Sequence, residues 1–135
     1  LMMTRRPLIC AALCASTPLL RPVFTNDPLT QWQQWQRRYV SFGRVIDAQQ
    51  GGISHSEGQG HGLLLAQAHG DHQAFDEIDT WTRQYLAIRD DRLMAWKWQL
   101  GPGNNIAEWH NATDGDLFRA WALLRGGLSS QPLLR

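Results

Sequence analysis

Ser54-His-Ser-Glu-Gly-Gln-Gly-His-Gly62 is the stretch on which the fold turns. Glycines at every second position, Gly58, Gly60 and Gly62, leave the backbone bare, so that something can approach it closely or helices can pack tightly against it. Glu57 stands immediately before them. The pattern admits three readings. Ser54-x-x-Glu57 and Ser56-x-x-Gln59 both fit a capping box at a helix start. Glu57 can equally be an active-site carboxylate at the mouth of that helix. Gly-x-Gly-x-Gly also resembles part of a dinucleotide fingerprint, although Gln49 to Ser54 does not read as a buried strand and no Gly-Lys-Ser/Thr follows. Spacing alone leaves all three open.

Upstream, Asp27-Pro28 predicts a helix start, with Asp as N-cap and Pro in the first turn. Leu29, Trp32, Trp35 or Gln36, and Tyr39 then recur at helical spacing. Arg44 to Asp47 reads as a short extended piece and Gln49 to Ser54 as a loop. Downstream, Ala and Gln favour helix for Leu63 to Ala68, and Gly70-Asp71 ends that helix and caps the next. Asp71 to Leu86 is the clearest helix, with Phe75, Ile78, Trp81 or Thr82, and Tyr85 on one face. Leu93 to Trp98 alternates like a strand, and Gly101 to Asn105 is a turn-rich loop. Thr113-x-x-Asp116 predicts a capping box opening a last helix, with Leu117, Ala120, Leu123 and Leu124 on its buried side. Gly126 to Ser130 is expected to break it. The expected class is all-α.

Asn111-Ala-Thr-Asp-Gly-Asp116 supplies further carboxylates, Asp114 and Asp116, near a positive helix end. Helix capping accounts for them, and a carboxylate there also suits a base or substrate ligand better than a proton donor. A calcium loop lacks the ligand spacing and the closing Glu. His55, His61, His69 and His72 form no His-Glu-x-x-His pattern, and no cysteine stands near them. No metal or other cofactor is expected. Among seven tryptophans, Trp32, Trp35, Trp81 and Trp121 lie in helical patterns and read as core. Trp96, Trp98 and Trp109 sit among polar residues and turns. An indole face suits the C–H face of a pyranose while its N–H seeks a polar partner, so a carbohydrate cleft is a reasonable expectation.

Composition narrows the class. With 135 residues there is room for one domain, and a 43% hydrophobic and 19% charged content is that of a globular chain. The net charge is +1, and Lys97 is the single lysine. Removing Arg5 and Arg6 would leave 11 basic against 12 acidic residues, a balance of −1. A nucleic-acid binder needs a basic face, so that class is excluded. Residues 1–22 read as an export leader, with Arg5 and Arg6 before the short apolar stretch Leu8 to Ala15. That stretch is far below the ~20 residues that span a bilayer. Cys10 and Cys14 both fall in it, so a mature chain would have no disulfide framework. The expected location is secreted or periplasmic.

Joined together, the motifs resemble family 8 of the glycoside hydrolases. Ser56-Glu-Gly-Gln-Gly-His-Gly62 is similar to that family's Ser-Glu-Gly-Gln-x-Tyr-Gly, with His61 where Tyr is usual. Leu93-Met-Ala-Trp96 resembles its Leu-Met-x-Trp. Ala112-Thr-Asp-Gly-Asp116 with Ala120-Trp-Ala-Leu-Leu124 resembles its signature and the helix after it. Trp32 to Asp47 is similar to members that accompany bacterial cellulose synthase. The resemblance implies part of an (α/α)6 barrel over residues 23–135 and inverting hydrolysis of internal β-1,4 bonds in cellulose-like glucans. It implies Glu57 as proton donor. Asp114 is the signature aspartate, a sugar ligand or, as often assigned, the nucleophile or base. Trp96 and Asp116 are implied as substrate-binding residues. A non-catalytic glucan-binding remnant, or action on chitosan, xylan or mixed-linkage glucan, are the alternatives. Twelve helices of ~11 residues with ~5-residue loops need roughly 190 residues. The chain is therefore expected to be an inactive part of a longer protein, through truncation, frameshift or a partial sequence.

Overall fold

The computed structural model describes residues 27–103 and 105–129, with side chains as far as Gly126. The leader reading for residues 1–22 lies outside them. Among the described residues, four helices are interspersed with short strands. Helix α1 (Pro28–Tyr39) runs into the hairpin β1 (Val40–Ser41) and β2 (Arg44–Val45). A 3-10 turn (Ala48–Gln50) and β3 (Ser54–His55) lead into α2 (Ser56–Ala68), followed by α3 (His72–Tyr85). Strands β4 (Lys97–Trp98) and β5 (Ile106–Glu108) precede α4 (Thr113–Ser129). The antiparallel sheet β3-β4-β5 pairs Ser54 with Trp98 and Lys97 with Glu108. The described residues are thus mainly helical, as expected, with two small sheets.

Local chemistry sets the helix ends. The Asp27 carboxylate accepts from Thr30 N–H at 2.9 Å, and Pro28 opens α1 as expected. Gly70 takes φ +65° between α2 and α3, and Asp71 caps α3 through Ala74 N–H at 3.0 Å. Asp71 also accepts from Trp32 Nε1 at 2.9 Å and Gln36 Nε2 at 3.2 Å, tying α1 to α3. Partial burial works to raise the Asp71 carboxyl, and these N–H donors outweigh it, holding it below the usual carboxylate range. In the first hairpin Gly43 sits at φ +79° with its Cα against the Glu77 carbonyl, where a Cβ has no room.

Helix α2 is the centre of the packing. Leu63 meets Ile78 and Ala122, Ala66 meets Trp32 and Ala74, and all four partners come from the surrounding helices. Trp81, Leu86, Met94, Ala95, Trp98 and Ile106 form a further cluster under the sheet. The glycines of the quoted stretch serve close approach. A Cβ on Gly60 would lie 2.8 Å from Phe118 Cβ, and one on Gly62 would lie 2.9 Å from Val45 Cγ2. Gln59, fully buried, accepts from Val45 N–H at 2.5 Å and donates to Gly43 O at 3.1 Å and Thr82 Oγ1 at 2.8 Å.

Several expectations are corrected. Neither Ser54-x-x-Glu57 nor Ser56-x-x-Gln59 forms a capping box. His55 is the N-cap, its Nδ1 accepting from Gly58 N–H at 3.0 Å, while Gln59 is committed to the core. Asp116 does not complete a box with Thr113, because its carboxylate reaches Met94 N–H at 2.8 Å. Leu29, 53% exposed, lies off the buried face of α1. Trp98 is core: it is 7% exposed in the middle strand, edge-on to Trp81, with the Arg44 guanidinium 4.3 Å from its ring centroid. The buried face of α4 is Gly115 and Ala122 with half-buried Phe118 and Arg119, since that is where α2 presents Gly60. Leu117, Trp121 and Leu124 are 63%, 54% and 66% exposed, and Ala120 is exposed with them. The helix also runs through Gly126 to Ser129 instead of breaking. Gly126 lies against the Phe75 ring, where a Cβ would stand 3.2 Å from Cζ.

Candidate active site

The four residues singled out by sequence gather where the first turns of α2 and α4 meet. Glu57 is the second residue of α2 and is half-buried. Both neighbours are pinned through their backbones. Ser56 N–H donates to Trp96 O at 2.9 Å, and Gly58 N–H donates to His55 Nδ1 at 3.0 Å. On α4, Gly115 is pressed against this turn. A Cβ there would lie 2.5 Å from Ser56 Oγ, 2.7 Å from Ser56 C and 2.8 Å from Glu57 N. Asp114, the residue before it, is exposed, and its Oδ1 accepts from Gly115 N–H at 2.8 Å. The two carboxylates therefore stand on abutting helix N-termini, where the aligned peptide dipoles favour negative charge.

Trp96 completes the cluster. Its backbone N–H donates to His110 O at 2.7 Å, and its half-buried ring stacks on the His110 ring, with centroids 5.5 Å apart and 20° between the planes. The Lys97 ammonium lies 5.7 Å from the ring centroid and 3.8 Å from Glu108 Oε1. Asp116 binds the motifs together. One carboxylate oxygen accepts from Met94 N–H, and the other is 3.4 Å from Asn111 Nδ2. The signature on α4 thus fixes the segment that carries Trp96. His61, where the family usually has Tyr, is exposed one turn beyond Glu57 and packs on Phe118 with centroids 4.7 Å apart.

Sequence reasoning missed His55, Gln59 and Gly115 as the parts that hold Glu57 in place. The signal for Gly115 was available in principle, since a glycine inside a helix's first turn is costly without a packing reason. Nothing in the spacing marks His55 as a cap. A recess of about 410 Å³ adjoins the turn, lined by Trp35, Tyr39, Asp47, His55 and Gly58 among others, and neither Glu57 nor Asp114 lines it. Among the described residues no group of three or more His, Cys, Asp or Glu side chains is placed to hold a metal ion. No described helix is long and apolar enough to cross a membrane.

Comparison with known proteins identifies the family. The family model for glycosyl hydrolases family 8 matches residues 8–131. The chain is 41% identical over 97 residues to an endoglucanase of Cellulomonas uda, covering 71% of this chain and 27% of that one. It is 42% identical over 98 residues to a probable endoglucanase of Novacetimonas hansenii, covering 72% and 29%. The solved endo-β-1,4-glucanase of Acetobacter xylinum superposes with a TM-score of 0.70 at 40% identity, over 75% of this chain and 32% of that one. The chain spans less than a third of the length of these relatives. Its four helices are part of the (α/α)6 barrel of such enzymes. The chain belongs to family 8 of the glycosyl hydrolases.

Proposed function

We propose that this chain forms the acid-bearing part of an endoglucanase that hydrolyses internal β-1,4-glucosidic bonds in cellulose-like glucans. The observation that carries the reading is the meeting of Glu57, Asp114 and the Trp96 segment at one junction of helix ends. Glu57 donates its proton to the glycosidic oxygen as the C1–O bond breaks. A water on the opposite face of the sugar gives up a proton to a carboxylate base and attacks C1, so that the anomer is inverted. Asp114 grips the sugar at the cleavage point, and the base comes from a part of the barrel that this chain does not span. Trp96 is the stacking platform. Asp116 serves binding through the Met94 N–H that fixes the platform. Such an enzyme works outside the cytoplasm, secreted or periplasmic, and the likeness of residues 32–47 to cellulose-synthase-associated members supports service beside that system.

The test is a grafted enzyme in which residues 27–129 replace the matching segment of the Acetobacter xylinum endo-β-1,4-glucanase. It should release reducing ends from carboxymethyl-cellulose, and proton NMR of fresh product should show the inverted anomer. Release of the retained anomer would remove the inverting mechanism. In that graft Trp96→Ala should weaken cello-oligosaccharide binding by about 1–3 kcal/mol, the scale of aromatic stacking on planar ligands elsewhere. A core tryptophan would instead cost ~3–5 kcal/mol of stability. Melting and binding measured together decide, and unfolding without a selective loss of affinity would sink the platform.

A polypeptide of these 135 residues alone is expected to be inactive on carboxymethyl-cellulose and to self-associate. Leu117, Trp121 and Leu124 lie at i, i+4 and i+7 and face solvent together. Each forfeits part of the ~1.5–3 kcal/mol that burial of such a side chain contributes, against a typical total stability of ~5–15 kcal/mol. Turnover by a monodisperse preparation, abolished by Glu57→Gln, would contradict this.

A further inference from the structure

We infer that His55, oriented by Asp47, is a positioning residue for Glu57 and that it works only as the neutral imidazole; this rests on Glu57 being the proton donor. What fixes residue 57 lies on either side of it, the Ser56 bond to Trp96 O and the Gly58 bond to His55 Nδ1. A ring nitrogen that accepts an N–H must carry its lone pair, so the ring proton sits on Nε2. Nε2 faces Asp47 Oδ2 at 3.4 Å. Asp47 is itself held. Its Oδ1 accepts from Gln49 N–H at 2.9 Å and Gln50 N–H at 3.1 Å, and its Oδ2 accepts from Gln50 Nε2 at 2.8 Å. Its backbone N–H donates to Ile53 O at 2.8 Å. The imidazole is thus a strut between a rigid turn and the first turn of α2.

A second proton on the ring removes the acceptor. Nδ1 becomes a donor pointed at the Gly58 N–H, and a positive charge arises at the positive end of a helix. Four charged groups bear on the ring. Asp47 contacts it, and Arg38 of α1 lines the same recess. Lys97 stands opposite it in the β3–β4 register, and Glu57 follows two residues on. Protonation of the ring releases Gly58 and with it one of the two pins beside Glu57.

In the grafted enzyme, His55→Ala should lower kcat on the order of 10- to 100-fold with KM changed by less than about twofold, the scale of misplacing a catalytic group by about an ångström. His55→Asn keeps an N-cap acceptor without titrating. It should return kcat to within about threefold of the parent and abolish the fall in kcat on the acid side that the parent's imidazole imposes. An alanine variant with kcat within about twofold of the parent, a kcat loss matched by loss of folded protein in thermal melting, or an asparagine variant without rescue would each overturn the inference. Should the alanine variant fail to fold, an acid limb left unchanged by His55→Asn overturns it equally. Glu57→Gln run beside these separates the two readings. If it stays active, the donor assignment falls and this inference with it. If it is dead while His55→Ala is fully active, the positioning role alone falls.

Discussion

Glu57→Gln in the grafted enzyme should lower turnover of cello-oligosaccharides by at least the ~10²–10⁴-fold that general acid catalysis contributes. The loss should be greater for the natural glucosidic bond than for a substrate with a good leaving group, because a sugar alkoxide needs the proton most. Gln matches Glu in size and keeps the backbone pins at Ser56 and Gly58, so binding should change little. The side chain is half-buried beside a glycine contact, and its neutral amide fits the same space. Isothermal titration with a cello-oligosaccharide, beside initial rates, checks both halves. A variant retaining more than about a tenth of parent turnover returns Glu57 to a structural role at the helix start.

Gly115→Ala is the second large effect. Alanine is the better helix former by ~1 kcal/mol, which alone would make the change stabilising. Here the new methyl would lie 2.5 Å from Ser56 Oγ and 2.7–2.8 Å from backbone atoms of Ser56 and Glu57. Backbone atoms cannot step aside by changing rotamer, so overpacking, typically ~1–3 kcal/mol, should win. Because the strain pushes on Glu57 itself, kcat in the graft should also fall on the order of 10²-fold. Gly101→Ala is the control, since a Cβ there meets Asn105 Oδ1 only at 3.9 Å. Equal melting temperatures and rates for the two variants would mean that α2 and α4 do not meet at this point.

How much of this could be read from the chain depends on the range of the interaction. Local signals were legible: the caps at Asp27 and Asp71, the glycine at residue 70, and Trp32, Ile78 and Trp81 on the buried faces of α1 and α3 follow from side chains within four residues, although Leu29 and Tyr85, placed on the same stripes, are exposed. The candidate site was legible as motifs. That Glu57, Trp96 and Asp114 would meet rested on the family resemblance, because no periodicity brings residues 57 and 114 together. The failures came from contacts distant in sequence. Trp98 has polar neighbours along the chain but lies between β3 and β5 and against Trp81. The two apolar faces of α4 look alike in sequence, and only the position of Gly60 on α2 selects the one bearing Ala122. Asp116 fits a capping rule and is diverted by Met94, twenty-two residues away.

The buried Gln59 amide has a consequence for orientation. A smooth apolar helix can turn about its own axis among similar packings, and each residue of slippage rotates it by about 100°. Gln59 lies two residues after Glu57, with its oxygen on Val45 N–H and its nitrogen on Gly43 O and Thr82 Oγ1. Donor and acceptor ends cannot be exchanged without setting like against like, so the amide works as a key that admits α2 at one azimuth. The direction in which the acid points is therefore set by a lock on the far side of its own helix, cut by the first hairpin and by α3.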